Sequence, residues 1–440
     1  MKLQHKRYLQ RLAAACLAGT MALSMISCGG GQQGDKNLIT SQAKEERPVN
    51  LFSPMEKTLP GVENVARNAF DLTIAMAEEQ LGVTVAYRTY TAEDYQDKTY
   101  DDVTLDRVRS DMDDIYLLNP DVIQILGEEG ELADLSGLEC AKNLREVVKV
   151  ANTVDGKLVA IPQEMVAYGL FLNMDLFKKY GLEPPPNTPE EFLECCQVFQ
   201  QNGYQTPVGA NRWWLEVFVL AIAYADLYNG GNTAQEIAAL NSGEAKYSDY
   251  MRPGFEFLQQ LIDHGYIDPE KALVSEAIEG EGPDFMAQRT PIVMAYWGAA
   301  NTDTAYGAPD FEMQVVGLPS HLGQMPVMPT TGFGIGANSQ HMEDAMAALD
   351  VILSDEALRT YTNVNKVISS SKNVEADCIP ALKPLNDRIQ QNYYVLGSNA
   401  GMKLEQWGNT CIIVRELLAG ATVDECMARF DQLQAETLAK

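Results

Sequence analysis

The stretch 155–196, DGKLVAIPQEMVAYGLFLNMDLFKKYGLEPPPNTPEEFLECC, constrains the fold of this 440-residue chain more than any other. A D-G turn opens a short apolar run at 157–161, which predicts a strand entering a packed sheet. A second run at 166–173, carrying aromatic and β-branched residues, predicts another. Between them stand Pro162, Gln163 and Glu164, and proline has no backbone donor with which to continue a regular ladder. Two such strands form either one sheet with a bulge or a crossing between two lobes, and these residues alone favour the bulged sheet. Length points to two lobes: 440 residues exceed a typical single core, and 46% apolar residues suit a globular chain.

Strands and helices alternate along the first part. A strand at 49–52 is followed by apolar residues at helical spacing over 62–81, stopped by Gly82. A strand at 83–87, a polar helical segment at 94–111 and a strand before Asn119-Pro120-Asp121 come next. This order predicts a mainly parallel sheet, with ligands at the C-terminal strand ends. Further on, Thr188 and Glu191 have capping-box spacing, 254–262 is helical, and 290–296 is an apolar strand running into Trp297. A helix at 339–353, a helix opening at Glu405-Gln406-Trp407 and a last one from Thr422 complete the reading.

The formal charge is −28, a sign that repels phosphate backbones and anionic headgroups and so argues against nucleic acid and electrostatic membrane binding. The eight cysteines (Cys16, Cys28, Cys140, Cys195, Cys196, Cys378, Cys411, Cys426) form no C-x-x-C pair, and no zinc-ligand spacing or cofactor motif is visible. Cys195, Cys196 and Cys426 lie in amphipathic helical patterns, where thiols are usually small buried hydrophobes. A disulfide among the six cysteines other than Cys16 and Cys28 stays open.

The N-terminus reads as a secretory signal, basic to Arg11 and apolar over 12–26, too short for a spanning helix. Ser24-Met25-Ile26-Ser27-Cys28 resembles a lipobox, which implies a signal peptide at 1–27 and acylation of Cys28. The alternative is an ordinary signal peptide with an incidental cysteine. Residues 28–47 are polar and Gly-rich, a flexible tether.

The run Ala167-Tyr168-Gly169-Leu170-Phe171-Leu172-Asn173-Met174-Asp175-Leu176-Phe177, with Lys179-Tyr180-Gly181-Leu182 and Thr188-Pro189-Glu190-Glu191-Phe192, resembles extracellular solute-binding proteins of the maltose-binding-protein-like branch that feeds ABC importers. The likeness extends from about Val49 to the C-terminus. It implies an α/β, periplasmic-binding-protein-like fold of type II, with two lobes joined by a three-segment hinge around a cleft. The lobes would be 48–163 with 334–375, and 164–333 with 376–440.

The resemblance also implies a site. Trp297 would form an aromatic wall under a sugar ring, Trp407 would stack on sugar, and Asp121 would accept hydroxyl hydrogen bonds. Asn119, Tyr168, Glu164, Glu56, Arg212, Trp213 and Trp214 are the remaining candidate ligand contacts. Leu118 stands where the branch has an aromatic. Each has a plainer reading: Asn119 and Asp121 as helix caps, one of Trp213 and Trp214 as core and the other as rim, and Trp407 as helix packing. The implied function is capture of a sugar or oligosaccharide for a membrane permease, by a monomer lipid-anchored to the outer face of the cytoplasmic membrane, without cofactor or catalysis. The rivals are a binder of polyamine or peptide, and a secreted glycan-processing enzyme.

Overall fold

The computed structural model describes residues 48–54, 65–91, 95, 98–275, 277–300, 309–328, 331–375, 379–397 and 401–439. Its two larger sheets are built from β1 (Val49–Ser53), β2 (Val85–Thr89), β3 (Ile115–Leu118), β4 (Tyr168–Asn173), β5 (Val208–Gly209), β6 (Ile292–Tyr296), β7 (Met313–Val316), β8 (Val327–Met328), β9 (Gly332–Ile335) and β10 (Val395–Leu396). Around them run α1 (Val65–Leu81), α2 (Tyr100–Arg109), α3 (Pro120–Glu129), α4 (Pro189–Gln201), α5 (Glu216–Ala223), α6 (Tyr247–Asp263), α7 (Met342–Ile352), α8 (Asp355–Asn365), α9 (Lys383–Gln390), α10 (Trp407–Leu418) and α11 (Val423–Leu438).

The first sheet has the order β9-β3-β1-β2, with β1 parallel to β2 and β3, and β9 antiparallel to β3. Helices α7 and α8 return late in the chain to pack on α1. The second sheet runs β10-β8-β4-β6-β5, with β7 also paired to β4. It is mixed rather than mainly parallel: β4 is antiparallel to β6, β7 and β8. The reason is where the chain enters. It arrives from the first lobe, so β4 starts at the side facing that lobe and runs away from it. The N-terminal residue of β4 therefore lies beside the C-terminal residue of β6.

The crossing at Pro162-Gln163-Glu164 is stitched on both sides. Ile161 exchanges backbone hydrogen bonds with Phe333 at 3.0 and 2.9 Å. Met165 N–H donates to the Ile368 carbonyl at 2.9 Å, Ser370 N–H donates to the Gln163 carbonyl at 3.3 Å, and Gln163 Nε2 donates to Thr73 Oγ1 of α1 at 2.9 Å. Only Lys157–Leu158 of the expected strand at 157–161 joins a ladder, with Thr153–Val154. The backbone of Ile161 is spent on Phe333 instead. The return to the first sheet begins at Gly332, paired with Leu118.

Local chemistry fixes the helix starts. Thr188 Oγ1 accepts from Glu191 N–H, but the Glu191 carboxylate reaches back to Asn187 N–H at 2.7 Å, one residue beyond the reciprocal box. Thr422 and Glu425 do form the complete box. The cysteines Cys140, Cys195, Cys196, Cys411 and Cys426 are free and buried. Among the described residues no helix is long and apolar enough to cross a membrane, and no His/Cys/Asp/Glu group could hold a metal ion.

Candidate functional site

The start of β4 and the end of β6 build an aromatic wall. Tyr168 and Tyr296 are register partners, so the pleat puts both on one face. Their ring centroids are 6.4 Å apart. Trp214 packs edge-on against both, at 5.9 and 6.2 Å, and Trp407 lies 5.4 Å from Tyr168. Trp214 is 8% exposed, whereas Tyr168, Tyr296 and Trp407 are half-buried and keep accessible surface. Two glycines make room for these rings. A Cβ on Gly298 would sit 2.4 Å from Tyr296 Cε2, and one on Gly397 would sit 2.5 Å from Trp407 Cζ3.

The same alternation explains why Trp297 is not in the wall. It follows Tyr296 and turns into the core, 1% exposed, with its N–H on the Ala167 carbonyl at 2.8 Å. The ring expected from Trp297 comes from Tyr296. The adjacent tryptophans also part company: Trp214 joins the wall, while Trp213 is 39% exposed under the guanidiniums of Arg212 (4.9 Å) and Arg415 (4.3 Å). Arg212 further donates Nη1 to the Leu273 carbonyl at 3.2 Å. These contacts stack Arg212 and Arg415 on the Trp213 ring.

Carboxyl groups frame the rings. Glu164, in the crossing, accepts from the Tyr361 hydroxyl of α8 at 3.1 Å. Burial pushes its pKa up to about 7, against the lowering effect of that hydroxyl. Its charge in turn adds to burial in raising the Tyr296 phenol. Asp121, second residue of α3, is pushed up to about 8, first by burial and then by Glu405, whose carboxyl it meets just before α10. Asn119 sits at the N-cap of α3 but makes no side-chain cap bond. Its Nδ2 donates to Asp101 Oδ1 at 2.8 Å, and Asp101 is itself raised by burial. Beside Glu405 a cavity of about 510 Å³ is lined by Glu128 of α3 together with Lys403, Leu404, Asn409, Leu433, Glu436 and Thr437.

Behind Tyr168 lies Glu216, the first residue of α5, fully buried and with neither carboxyl oxygen hydrogen-bonded. Burial raises it well above the ordinary range, and Arg415 offsets that only in part. Leu118, in the aromatic's place, is buried under Gly334, where a Cβ would approach Leu118 Cδ1 to 2.6 Å. Glu56 and Cys28 lie outside the described residues.

The structure thus brings together Tyr168, Trp214, Trp407, Glu164 and Asp121, and adds Tyr296, Tyr361, Glu405 and Glu216, which the sequence reading missed. The Tyr168–Tyr296 pairing had a signal, since both stand at the cleft-side ends of predicted strands. Glu405 and Tyr361 had none, because each reaches the site from a helix end or face distant in sequence.

Two mixed α/β lobes joined by several crossing strands, with rings and acids where they meet, define a periplasmic-binding-protein-like fold. Residues 61–358 match the family model of bacterial extracellular solute-binding proteins, and the chain belongs to that family. Among solved structures it is similar to a family 1 extracellular solute-binding protein from Bifidobacterium longum subsp. infantis (17% identity, 89% of this chain and 99% of that one, TM-score 0.71). It is also similar to a chitin oligosaccharide binding protein (19%, 90% and 100%, TM-score 0.71) and to the sugar-binding protein MalE from Xanthomonas citri (13%, 89% and 98%, TM-score 0.66). At these identities the likeness is one of fold.

Proposed function

We propose that the chain is the substrate-binding lipoprotein of an ABC importer, which captures a sugar or oligosaccharide between its lobes and delivers it to a permease. The observation that carries this reading is the wall of Tyr168, Tyr296 and Trp407 framed by carboxyls from both lobes. A pyranose offers apolar C–H faces to such rings and a belt of hydroxyls to such acids. Aromatic contacts of about 0.5–1.5 kcal/mol each, with hydrogen bonds to charged groups of about 1.5–3 kcal/mol, reach the roughly 8 kcal/mol of micromolar binding. Structural neighbours named for chitin oligosaccharide and for sugar binding support the ligand class. A ligand touching both lobes favours the form in which they meet, so binding closes the cleft.

Residues 1–27 are the signal, Cys28 carries the lipid, and 28–47 tether the lobes to the outer face of the cytoplasmic membrane, where the monomer works without catalysis. Thermal-shift screening against a glycan panel, followed by small-angle scattering with each hit, tests the reading. Hits that stabilise the protein and shrink its radius support it. Glycan hits without compaction overturn the closure step, and new reducing ends from a labelled oligosaccharide overturn pure binding. Replacing Cys28 with Ser should move the protein from the membrane fraction to the soluble one.

A further inference from the structure

We infer that the captured glycan carries an anionic substituent, a carboxylate or a sulfate, seated at an outer platform where the guanidiniums of Arg212 and Arg415 stack on Trp213, while a preceding sugar unit lies on the wall of Tyr168, Tyr296 and Trp407. This rests on the sugar-capture reading and narrows it.

The platform continues the wall. Trp213 is the chain neighbour of Trp214, which packs on Tyr168 and Tyr296. On α10, Trp407, Cys411 and Arg415 stand four residues apart and so share one face of the helix. Cys411 Sγ and Arg415 Nε both approach the Arg212 carbonyl, at 3.5 and 3.4 Å, which holds the segment carrying Trp213 against that face. Arg415 lies about 12 Å beyond Trp407 at the helical rise of roughly 1.5 Å per residue, a reach that a chain of sugars spans and a single pyranose does not. Trp213 is exposed, as are Ile412 of α10 and Val274, the last residue of the short helix Pro269–Val274 that packs on α10. Exposed apolar side chains beside a binding cleft mark a surface that a ligand covers.

The charge selects the ligand. The chain has 61 acidic residues against 33 lysines and arginines, and its arginines elsewhere take up carboxylates. Arg88 and Arg107 share Asp113 at 3.2 and 2.7 Å, Arg109 holds Glu129 at 2.6 Å, and Arg289 holds Asp284 at 2.6 Å. Arg388, away from acids, is spent on the Gln324 and Leu322 carbonyls at 2.8 and 3.1 Å. Arg415 is satisfied in neither way. Its Nε bond to the Arg212 carbonyl is long, its Nη2 donates to the sulfur of Cys411 at 3.2 Å, and its Nη1 has no partner among the described residues. Glu216, the buried carboxyl that feels its charge, makes no hydrogen bond to it. A guanidinium over an indole still presents its N–H edge, the geometry that pairs with planar or tetrahedral anions. Two guanidiniums on one ring repel each other, and an anion between them relieves that repulsion.

Titration calorimetry on the purified protein at pH 7.5 tests this. The probes are matched trisaccharides of gluco and galacto configuration that end in a neutral sugar, a uronate or a sulfated sugar. The expected result is at least tenfold tighter binding of a uronate or sulfated trisaccharide than of its neutral counterpart, and the arm that binds identifies the anion. Arg415→Gln should reduce that preference to threefold or less, with a melting temperature within a few degrees of the parent. Trp213→Ala, at an exposed ring, should weaken the acidic trisaccharide at least fivefold and serves as the test should Arg415→Gln unfold early. Equal or tighter binding of a neutral trisaccharide, or a preference that survives the substitutions, overturns the inference and leaves sugar capture standing. Silence of the acidic trisaccharides alone overturns it too, and silence of the whole panel overturns both.

Discussion

The carboxyl of Asp121, second residue of α3, meets that of Glu405, just before α10, and burial and Glu405 together raise the Asp121 pKa. The contact ties helix α3 to the segment leading into α10.

Its pH dependence follows from the sign of the shift. The Asp121 carboxyl is raised to about 8 in the folded protein, against about 4 in an unfolded chain. The native state therefore binds more protons between these values, and stability is fully present below about pH 4 and declines as pH rises to about 8. Asp121→Asn should flatten this part of the melting-temperature profile, matching the parent at pH 4.5 and exceeding it at pH 8.5. Parallel profiles in a fluorimetric scan would contradict the contact.

The Tyr361 hydroxyl favours the charged form of Glu164. Tyr361→Phe should move the Glu164 titration upward from about 7 and cost on the order of 1 kcal/mol for the lost hydrogen bond. Carbon-detected NMR of labelled glutamate across pH 5–9 reads the shift directly; a downward movement would show that another donor controls Glu164.

Trp407 and Trp297 should separate cleanly. Trp407→Ala, at a half-exposed ring of the wall, should weaken ligand binding by roughly tenfold with a modest stability loss. Trp297→Ala empties a fully buried site and should cost about 3–5 kcal/mol of stability. Urea titrations alongside ligand calorimetry would reveal the reverse assignment if Trp297 were the contact.

Gly397→Ala pushes a methyl group against the Trp407 indole. Overpacking of this kind costs about 1–3 kcal/mol, and most of that cost should vanish in a Trp407→Ala background. A double-mutant cycle by denaturant unfolding measures the coupling, and strict additivity would place the strain elsewhere.

Burial raises the thiols of Cys195 and Cys411 to about 12 and that of Cys426 to about 11. Thiolate is the reactive form, so these groups should ignore a disulfide reagent at pH 8 until the protein is unfolded. Mass spectrometry of alkylated peptides under native and denaturing conditions would show it.

The two lobes were legible in the length of the chain and in its family resemblance, whereas the Pro162-Gln163-Glu164 break between two apolar runs fitted a bulged single sheet better. Tyr168 and Trp407 were legible because each stands at the edge of a readable element. Trp297 was misplaced because a single residue along a pleat exchanges faces, and only the observed pairing of Tyr168 with Tyr296 fixes which ring points outward. Asp121 with Glu405, and Glu164 with Tyr361, span such distances along the chain that no local pattern could join them. The unsatisfied carboxyl of Glu216 was equally invisible, since a glutamate opening a helix is ordinarily solvated.

The stitching of Ile161 to Phe333, and of Gln163 and Met165 to 368–370, has a consequence for movement. A strand held by its neighbours on two sides can flex like a leaf spring but cannot slide. Opening should be a rotation that keeps these amides bonded throughout, so their protons should exchange among the slowest in the molecule, with or without guest.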